Sequence, residues 1–409
     1  MRLMSAENGG EAQNDLAALK GLKVLSLSHV VAGPLAAGLL ADFGADVVHV
    51  EQPKSGDPAR HLGFERDGVY VWWKVAGRNK RSVTIDLRKP DGAKLARELA
   101  SWADVVISSI RPATLERWGL GWDALRAVNS RLIMLQITGF GMTGPRKHEP
   151  GFGKVGEAMS GVVGITGFPD QPLHAAFSHG DSVTGLMGAF GLLAALYRRA
   201  HDPKFAGELI DLALFEPLFR LIEWQVIAYD QLNMAPARNG NRLGFAPAAV
   251  ANVFETADGT WITVTSATVK SVLRVVHLVG LPVEEFETVV AQRQQSDLID
   301  RKLKEWIKQH NAEDALAKMR EANVVASKIY SIQDIMNDEV YKARDDIITI
   351  NDSELGPIKM QSVIPKMMRH AGEVWRSGPQ LGEDNEIVFK QWLGMSTQRF
   401  EYLRAAGVI

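Results

Sequence analysis

From Gly21 onward, short runs rich in Val, Leu and Ile alternate with longer stretches whose apolar residues recur at helical spacing. "LKVLSL" predicts a strand, and "AGPLAAGLLADFGA" predicts a helix ending at Gly44. "DVVHVE" predicts the next strand. The cycle repeats with "SVTIDL" as strand, "PDGAKLARELASWA" as helix, "DVVISS" as strand, "GWDALRAVN" as helix and "RLIMLQIT" as strand. Helical segments between apolar strands imply crossover connections, and so a mainly parallel sheet covered on both faces. The predicted class is α/β, with a Rossmann-like first half.

"DSVTGLMGAFGLLAALYRRA" predicts a long helix, with Val183, Leu186, Met187, Phe190, Leu193, Ala194 and Tyr197 at helical spacing. Gly185, Gly188 and Gly191 give it a small face. Each glycine is about 1 kcal/mol less favourable than alanine in a helix, so close backbone packing is the expected compensation. After the break "HDPKFAGE", an apolar helix is expected from about Ala213 to Leu232. "NMAPARNGNRLGFAPA" reads as a domain crossing, and "ANVFETADGTWITVTSAT" as a hairpin turning at Asp258-Gly259. The next hundred residues are mainly helical and charged, and the final stretch predicts two short helices. The expected organisation is a flexible tail (1–20), the N-terminal part of a large domain (21–225), a smaller α+β domain (226–335), and a linker returning to the large domain (336–409).

Composition narrows the function. The chain has 409 residues and a net charge of −2, without the basic excess a nucleic-acid binder needs. It has no cysteine, which excludes disulfides, thiol nucleophiles and cysteine-bound metals and fits a cytoplasmic location. No uninterrupted apolar run reaches the ~18 residues of a membrane span. The opening residues lack the apolar segment of a secretory signal.

Known loop fingerprints are missing. "AGPLAAG" lacks the G-x-G-x-x-G of a dinucleotide loop, and neither Walker A nor G-x-S-x-G occurs. His174 and His179 have no partners at metal-ligand spacing. Arg78, Lys80, Arg81, Arg88, Arg111 and Arg117 form a basic group near predicted strand ends. They read either as solvated charge or as the cations a phosphorylated ligand needs at the edge of an open sheet. Asp181, in "FSHGDSVTG", reads as a helix N-cap accepting backbone N–H groups. The same position also suits chemistry: a carboxylate beside glycine can be approached closely and can attack an activated acyl group.

Blocks spread along the chain resemble the class III CoA-transferases, the formyl-CoA transferase and carnitine CoA-transferase family. They are "LKVLSLSHVVAGPLAAGLLADFGADVVHVEQPKSGDPAR", "GRNKRSVTIDLRKPDG", "ADVVISSIRPATLERWGLGWDALRAVNSRLIMLQITGFGMTGP", "AMSGVVGITG", "HGDSVTGLMGAFGLLAAL" and "WRSGPQLGEDNEIV". The resemblance implies a Rossmann-like large domain plus a smaller α+β domain, in an interlocked homodimer. It implies that Asp181 is the acyl-accepting nucleophile, and that coenzyme A and acyl-CoA are substrates with no permanently bound cofactor and no metal. It further implies CoA contacts at Val31 and Ala32, at Ile85 and Arg88, at Ser109, Ile110 and Arg111, and at Arg117. Phe152 and Gly153 would line the thioester pocket.

Three departures from the family pattern matter. The His-Asp run of the family's racemases is replaced by "PGFGK", which favours transfer over racemisation. Gly153 stands where many transferases have aspartate. "RNGNRLGF" is a weak match to the glycine-rich loop that closes over the nucleophile. The C-terminal third looks nearest to carnitine-type enzymes. A trimethylammonium acceptor would want aromatic rings, for which Trp72, Trp73 and Trp224 are candidates. A dicarboxylate or a hydroxy acid is equally compatible.

Overall fold

A computed structural model describes residues 16–242 and 250–409. Most of the tail expected at 1–20 lies outside the described residues. The chain divides into two compact units, one formed by 1–160, 176–220 and 342–409, the other by 161–175 and 221–341.

The first unit is built on six strands: β1 (Lys23–Leu27), β2 (Asp46–Glu51), β3 (Lys80–Thr84), β4 (Val105–Ser108), β5 (Ile133–Thr138) and β6 (Glu208–Ala213). They lie in the order β6-β5-β4-β1-β2-β3, and every neighbouring pair is parallel. The alternation of side chains divides the core. Leu25, Val48, Val83 and Val106 face one layer, with Leu95, Leu99, Phe389 and Phe400. Val24, Val47, Val105 and Ile133 face the other, with Ala36, Leu40 and Leu192. Burial on both faces explains why these strands read as continuous apolar runs.

The helices of this unit that bear on the site are α1 (Ala32–Asp42), α2 (Val71–Ala76), α3 (Pro90–Trp102), α4 (Pro112–Arg117), α5 (Trp122–Val128), α6 (Gly153–Met159) and α7 (His179–His201). The chain leaves β1 for β2 on one side and returns at β4 on the other. The sheet order therefore reverses between β1 and β4, beyond whose carboxyl ends open α/β sheets form their ligand crevice.

α7 is the one described helix long and apolar enough to cross a membrane by length and composition. Its buried positions are Gly180, Thr184, Gly185, Gly188, Ala189, Leu192 and Ala195. The small face is thus the packed one. A Cβ on Gly185 would lie 2.8 Å from the Ala32 carbonyl oxygen, and one on Gly188 2.8 Å from Leu135 Cδ2. The large residues Leu186, Phe190, Leu193 and Tyr197 are exposed.

Two expectations require correction. The helix expected from Ala213 to Leu232 is a strand, β6, followed by two separate helices, Glu216–Leu221 and Trp224–Leu232. Pro217 accounts for the first break, because proline fits the first turn of a helix but not its interior. Asp181 is not an N-cap. α7 begins two residues earlier, with Ser178 at the cap position, so Asp181 is the third helical residue.

The second unit pairs β7 (Val250–Glu255), β8 (Trp261–Ser266) and β9 (Ala326–Lys328) in an antiparallel sheet. Val264, Val275, Phe286, Ile299, Leu303 and Met319 fill its core. Part of "RNGNRLGF", residues 243–245, lies outside the described residues. Arg238 at its start donates to the carbonyls of Phe168, Gly164 and Pro169.

Candidate active site

Asp181 sits in the first turn of α7, directly over Gly153, the first residue of α6. A Cβ on Gly153 would lie 2.2 Å from Asp181 Oδ2 and 2.6 Å from its Cγ. The glycine therefore makes the space the carboxylate occupies. Gly180 completes the close approach, since a Cβ there would lie 2.6 Å from the Gly153 carbonyl oxygen.

The cap role expected of Asp181 is filled by another residue. Glu157 Oε1 accepts the Gly180 N–H at 3.1 Å, satisfying one of the donors left open at a helix start. Lys154 Nζ donates to both Glu157 oxygens at 3.1 Å and to the Phe177 carbonyl at 3.0 Å. The Glu157 side chain is 1% exposed and that of Lys154 47%. Burial pushes the Asp181 carboxyl up to about 6, the Glu157 carboxylate adds to the rise, and the Lys154 ammonium opposes it. A carboxylate of raised basicity, ionised near neutrality, is a stronger nucleophile than a surface aspartate.

An open cleft of about 570 Å³ adjoins this turn. Its wall carries Val30, Val31, Pro34 and Leu35 from the start of α1, Trp72 and Val75 from α2, and Ser178 and Ser182 on either side of Asp181. Trp73, by contrast, is buried, with Nε1 donating to the Pro379 carbonyl and the Arg60 guanidinium 4.0 Å from its ring. Trp224 belongs to the second unit.

The expected contact residues fall beyond the carboxyl ends of β1, β3, β4 and β5. Val31 is the residue preceding α1, and Ala32 is its buried first residue. Ile85 follows β3 with its side chain in the core, leaving only main chain for a ligand. Arg88 is exposed and paired with Asp86 at 2.8 Å. Ser109 Oγ accepts the His29 N–H at 3.0 Å, which ties the end of β4 to the end of β1. Ile110 is 8% exposed, and its carbonyl accepts from Gln136 at 2.9 Å. Arg111 and Arg117 bracket α4 and are exposed. Phe152 precedes α6 and is 76% exposed.

The basic group does not act together. Arg78 pairs with Asp42 at 2.6 Å and Arg81 with Asp384 at 3.3 Å, while Lys80 is buried and donates to the Ala76 carbonyl. These three lie at the start of β3 and serve the fold. Arg88, Arg111 and Arg117 are the ones left facing outward. Sequence reasoning missed Glu157 and Lys154. Their only signal was the helical spacing of two charged residues in "GKVGEA", which is commonplace on helices.

Residues 19–385 match the sequence profile described as CoA-transferase family III. The chain belongs to this family. The transferase is 38% identical over 397 residues to the succinyl-CoA–D-citramalate CoA-transferase of Chloroflexus aurantiacus, covering 96% of this chain and 98% of the other. It is 28% identical to the formyl-CoA:oxalate CoA-transferase of Streptomyces coelicolor, covering 96% and 99%. Among solved structures, a CaiB/BaiF family protein from Brucella suis superposes with a TM-score of 0.79 at 29% identity, covering 92% of this chain and 99% of that one.

Proposed function

We propose that this family III CoA-transferase moves CoA from a dicarboxylic acyl-CoA to a small carboxylic acid through covalent intermediates on Asp181. The observation that carries the reading is the Asp181 carboxylate itself, seated on Gly153, raised to about 6 and bracketed by cleft residues. In the first step an Asp181 oxygen attacks the thioester carbonyl, the C–S bond breaks, and CoA leaves as thiolate. The product is a mixed anhydride. The thiolate then attacks the Asp181 carbonyl carbon and expels the donor as a free carboxylate, leaving CoA as a thioester on Asp181. The acceptor carboxylate attacks this thioester and forms a second anhydride. The returning thiolate attacks the acceptor's acyl carbon, releasing the new acyl-CoA and the Asp181 carboxylate. No net proton is consumed.

Val31, Ala32, Ile85, Arg88, Ser109, Ile110, Arg111 and Arg117 are the proposed CoA contacts, with Phe152 and Gly153 by the thioester. Arg111 and Arg117 offer bidentate partners for phosphate, while Arg88 already engages Asp86 with one edge of its guanidinium. The names of the relatives suggest succinyl-CoA as donor and a hydroxy dicarboxylate as acceptor. Lys154 beside Asp181 suits a second carboxylate better than a trimethylammonium group. The racemase alternative needs a second acid/base group facing substrate. Glu157 is the carboxylate whose charge acts on Asp181, and it is enclosed and engaged.

We also propose a cytoplasmic homodimer. Leu186, Phe190, Leu193 and Tyr197 make an outward apolar stripe on α7, with 54, 68, 44 and 67% exposure. Such a stripe on one helix face suits contact with a second chain.

The test is a matrix of acyl-CoA donors and free acids read by mass spectrometry. The expected result is CoA transfer from succinyl-CoA to citramalate or malate, with little to carnitine or oxalate. Deuterium wash-in at the α-carbon without any acceptor, and no transfer, would overturn the reading in favour of racemisation.

A further inference from the structure

A left-handed turn sits where β1 gives way to α1. Val30 has φ of +66°, a region that β-branched side chains rarely adopt. Its N–H donates to both oxygens of Asp57, at 3.0 and 3.2 Å. Asp57 also accepts the Ala59 N–H at 2.8 Å, and its own N–H donates to Glu51 Oε2 at 2.8 Å. His49 closes the group, with Nε2 3.1 Å from Asp57 Oδ2 and Nδ1 3.0 Å from Ser26 Oγ.

Ser26, His49 and Asp57 have the contact order of a hydrolase triad. Their exposures of 0, 1 and 2% leave the serine no access to a substrate. The group therefore works inward. Glu51 is itself held by Arg60 at 2.6 and 2.8 Å and by Ser82 Oγ at 2.5 Å. β1, β2 and β3 thus all anchor the residue that grips Val30. Burial alone would raise the Asp57 carboxyl, but its bonds to His49 and to the Ala59 and Val30 N–H groups hold it at about 2.

The turn carries the cleft wall. Val30 and Val31 line the cleft with Ser178 and Ser182, which flank Asp181. The Val31 carbonyl accepts the Leu35 N–H at 2.8 Å, so Val31 sets the start of α1. Rotating Val30 out of its left-handed state would re-aim both.

We propose that Asp57, held by His49, is a positioning residue for CoA transfer: it fixes Val30 in the left-handed state and keeps the Val30–Val31 wall in register with the turn that carries Asp181. The proposal rests on the reading of transfer at Asp181 given above. Both carboxylate oxygens are in use, so an amide would replace only part of the grip.

The test uses Asp57→Ala and Val30→Gly, singly and combined, because Val30 itself lines the cleft. Glycine adopts positive φ freely, so Val30→Gly removes the need for the grip. Steady-state kinetics with succinyl-CoA are measured together with calorimetric binding of CoA and thermal unfolding. Asp57→Ala is expected to raise KM for acyl-CoA and Kd for CoA by about tenfold or more, with kcat changed less than about threefold. In the Val30→Gly background, Asp57→Ala is expected to change KM and Kd by less than about twofold relative to Val30→Gly alone, while Tm still falls, because the buried network is broken. A merely structural role would leave KM unchanged in folded Asp57→Ala, or raise it by the same factor in the Val30→Gly background, and either result overturns the proposal. If Asp57→Ala does not fold, Asp57→Asn with and without Val30→Gly carries the same comparison. A wild type that binds CoA without transferring it defeats the functional reading, while the Kd ratios still decide the clamp. A wild type that binds no CoA overturns both.

Discussion

Asp181 depends on its immediate surroundings for its properties. It must be ionised to attack, and its carboxyl titrates at about 6. The rate kcat/KM is therefore expected to fall as pH drops through that value. Removing the negative neighbour by Glu157→Gln should move this limb to lower pH, as a pH–rate profile would show; a limb that stays in place would rule Glu157 out as a determinant. Stability has the opposite sign. The folded value lies above the ordinary 3.8, so Asp181's contribution is present below that value and lost as pH rises through about 6. Asp181→Asn should thus raise Tm at about pH 8 but not at about pH 4. A lower Tm at the higher pH would contradict this. Asp181 stood out in the sequence through its family block, whereas its local setting misled. A cap reading needs only the next few residues, but the actual donor-satisfying group, Glu157, comes from another helix 23 residues away.

Elements were legible where burial is two-sided. β1, β2, β4 and β5 are apolar on both faces and stand out as runs. β6 is an edge strand with Glu208 and Asp211 exposed, so its alternation is masked. The glycines of α7 announced its closely packed face, and Gly185 and Gly188 do meet α1 and β5, while its large residues form an outward apolar stripe. Close approach of α7 and α1 sets Gly185, one turn beyond Asp181, against Ala32 at the start of α1. Gly185→Ala would put a methyl 2.8 Å from the Ala32 carbonyl oxygen. A cost of about 1–3 kcal/mol is expected in urea unfolding, with a lower kcat. Gly153→Ala acts closer to the chemistry. The added methyl displaces the Asp181 carboxylate, and a loss of about a hundredfold or more in kcat with little change in Tm is expected. Retained activity would show that the carboxylate works from another rotamer.

For the whole molecule, composition excluded broad classes and the family blocks supplied the activity, but the division of the chain is subtler. Residues 161–175 belong with 221–341, and only contacts reveal that grouping. The stripe on α7 leads to a prediction about assembly. Phe190→Asp is expected to turn a dimer into a monomer in size-exclusion light scattering; a wild type that is already monomeric would contradict the assembly. Trapping tests the covalent route through Asp181 head-on. The enzyme is incubated with succinyl-CoA and hydroxylamine, digested, and its peptides read by mass spectrometry. A hydroxamate on Asp181, absent without acyl-CoA, is the predicted result. An unmodified Asp181 in enzyme that is actively transferring CoA, or full transfer by Asp181→Ala, would contradict it.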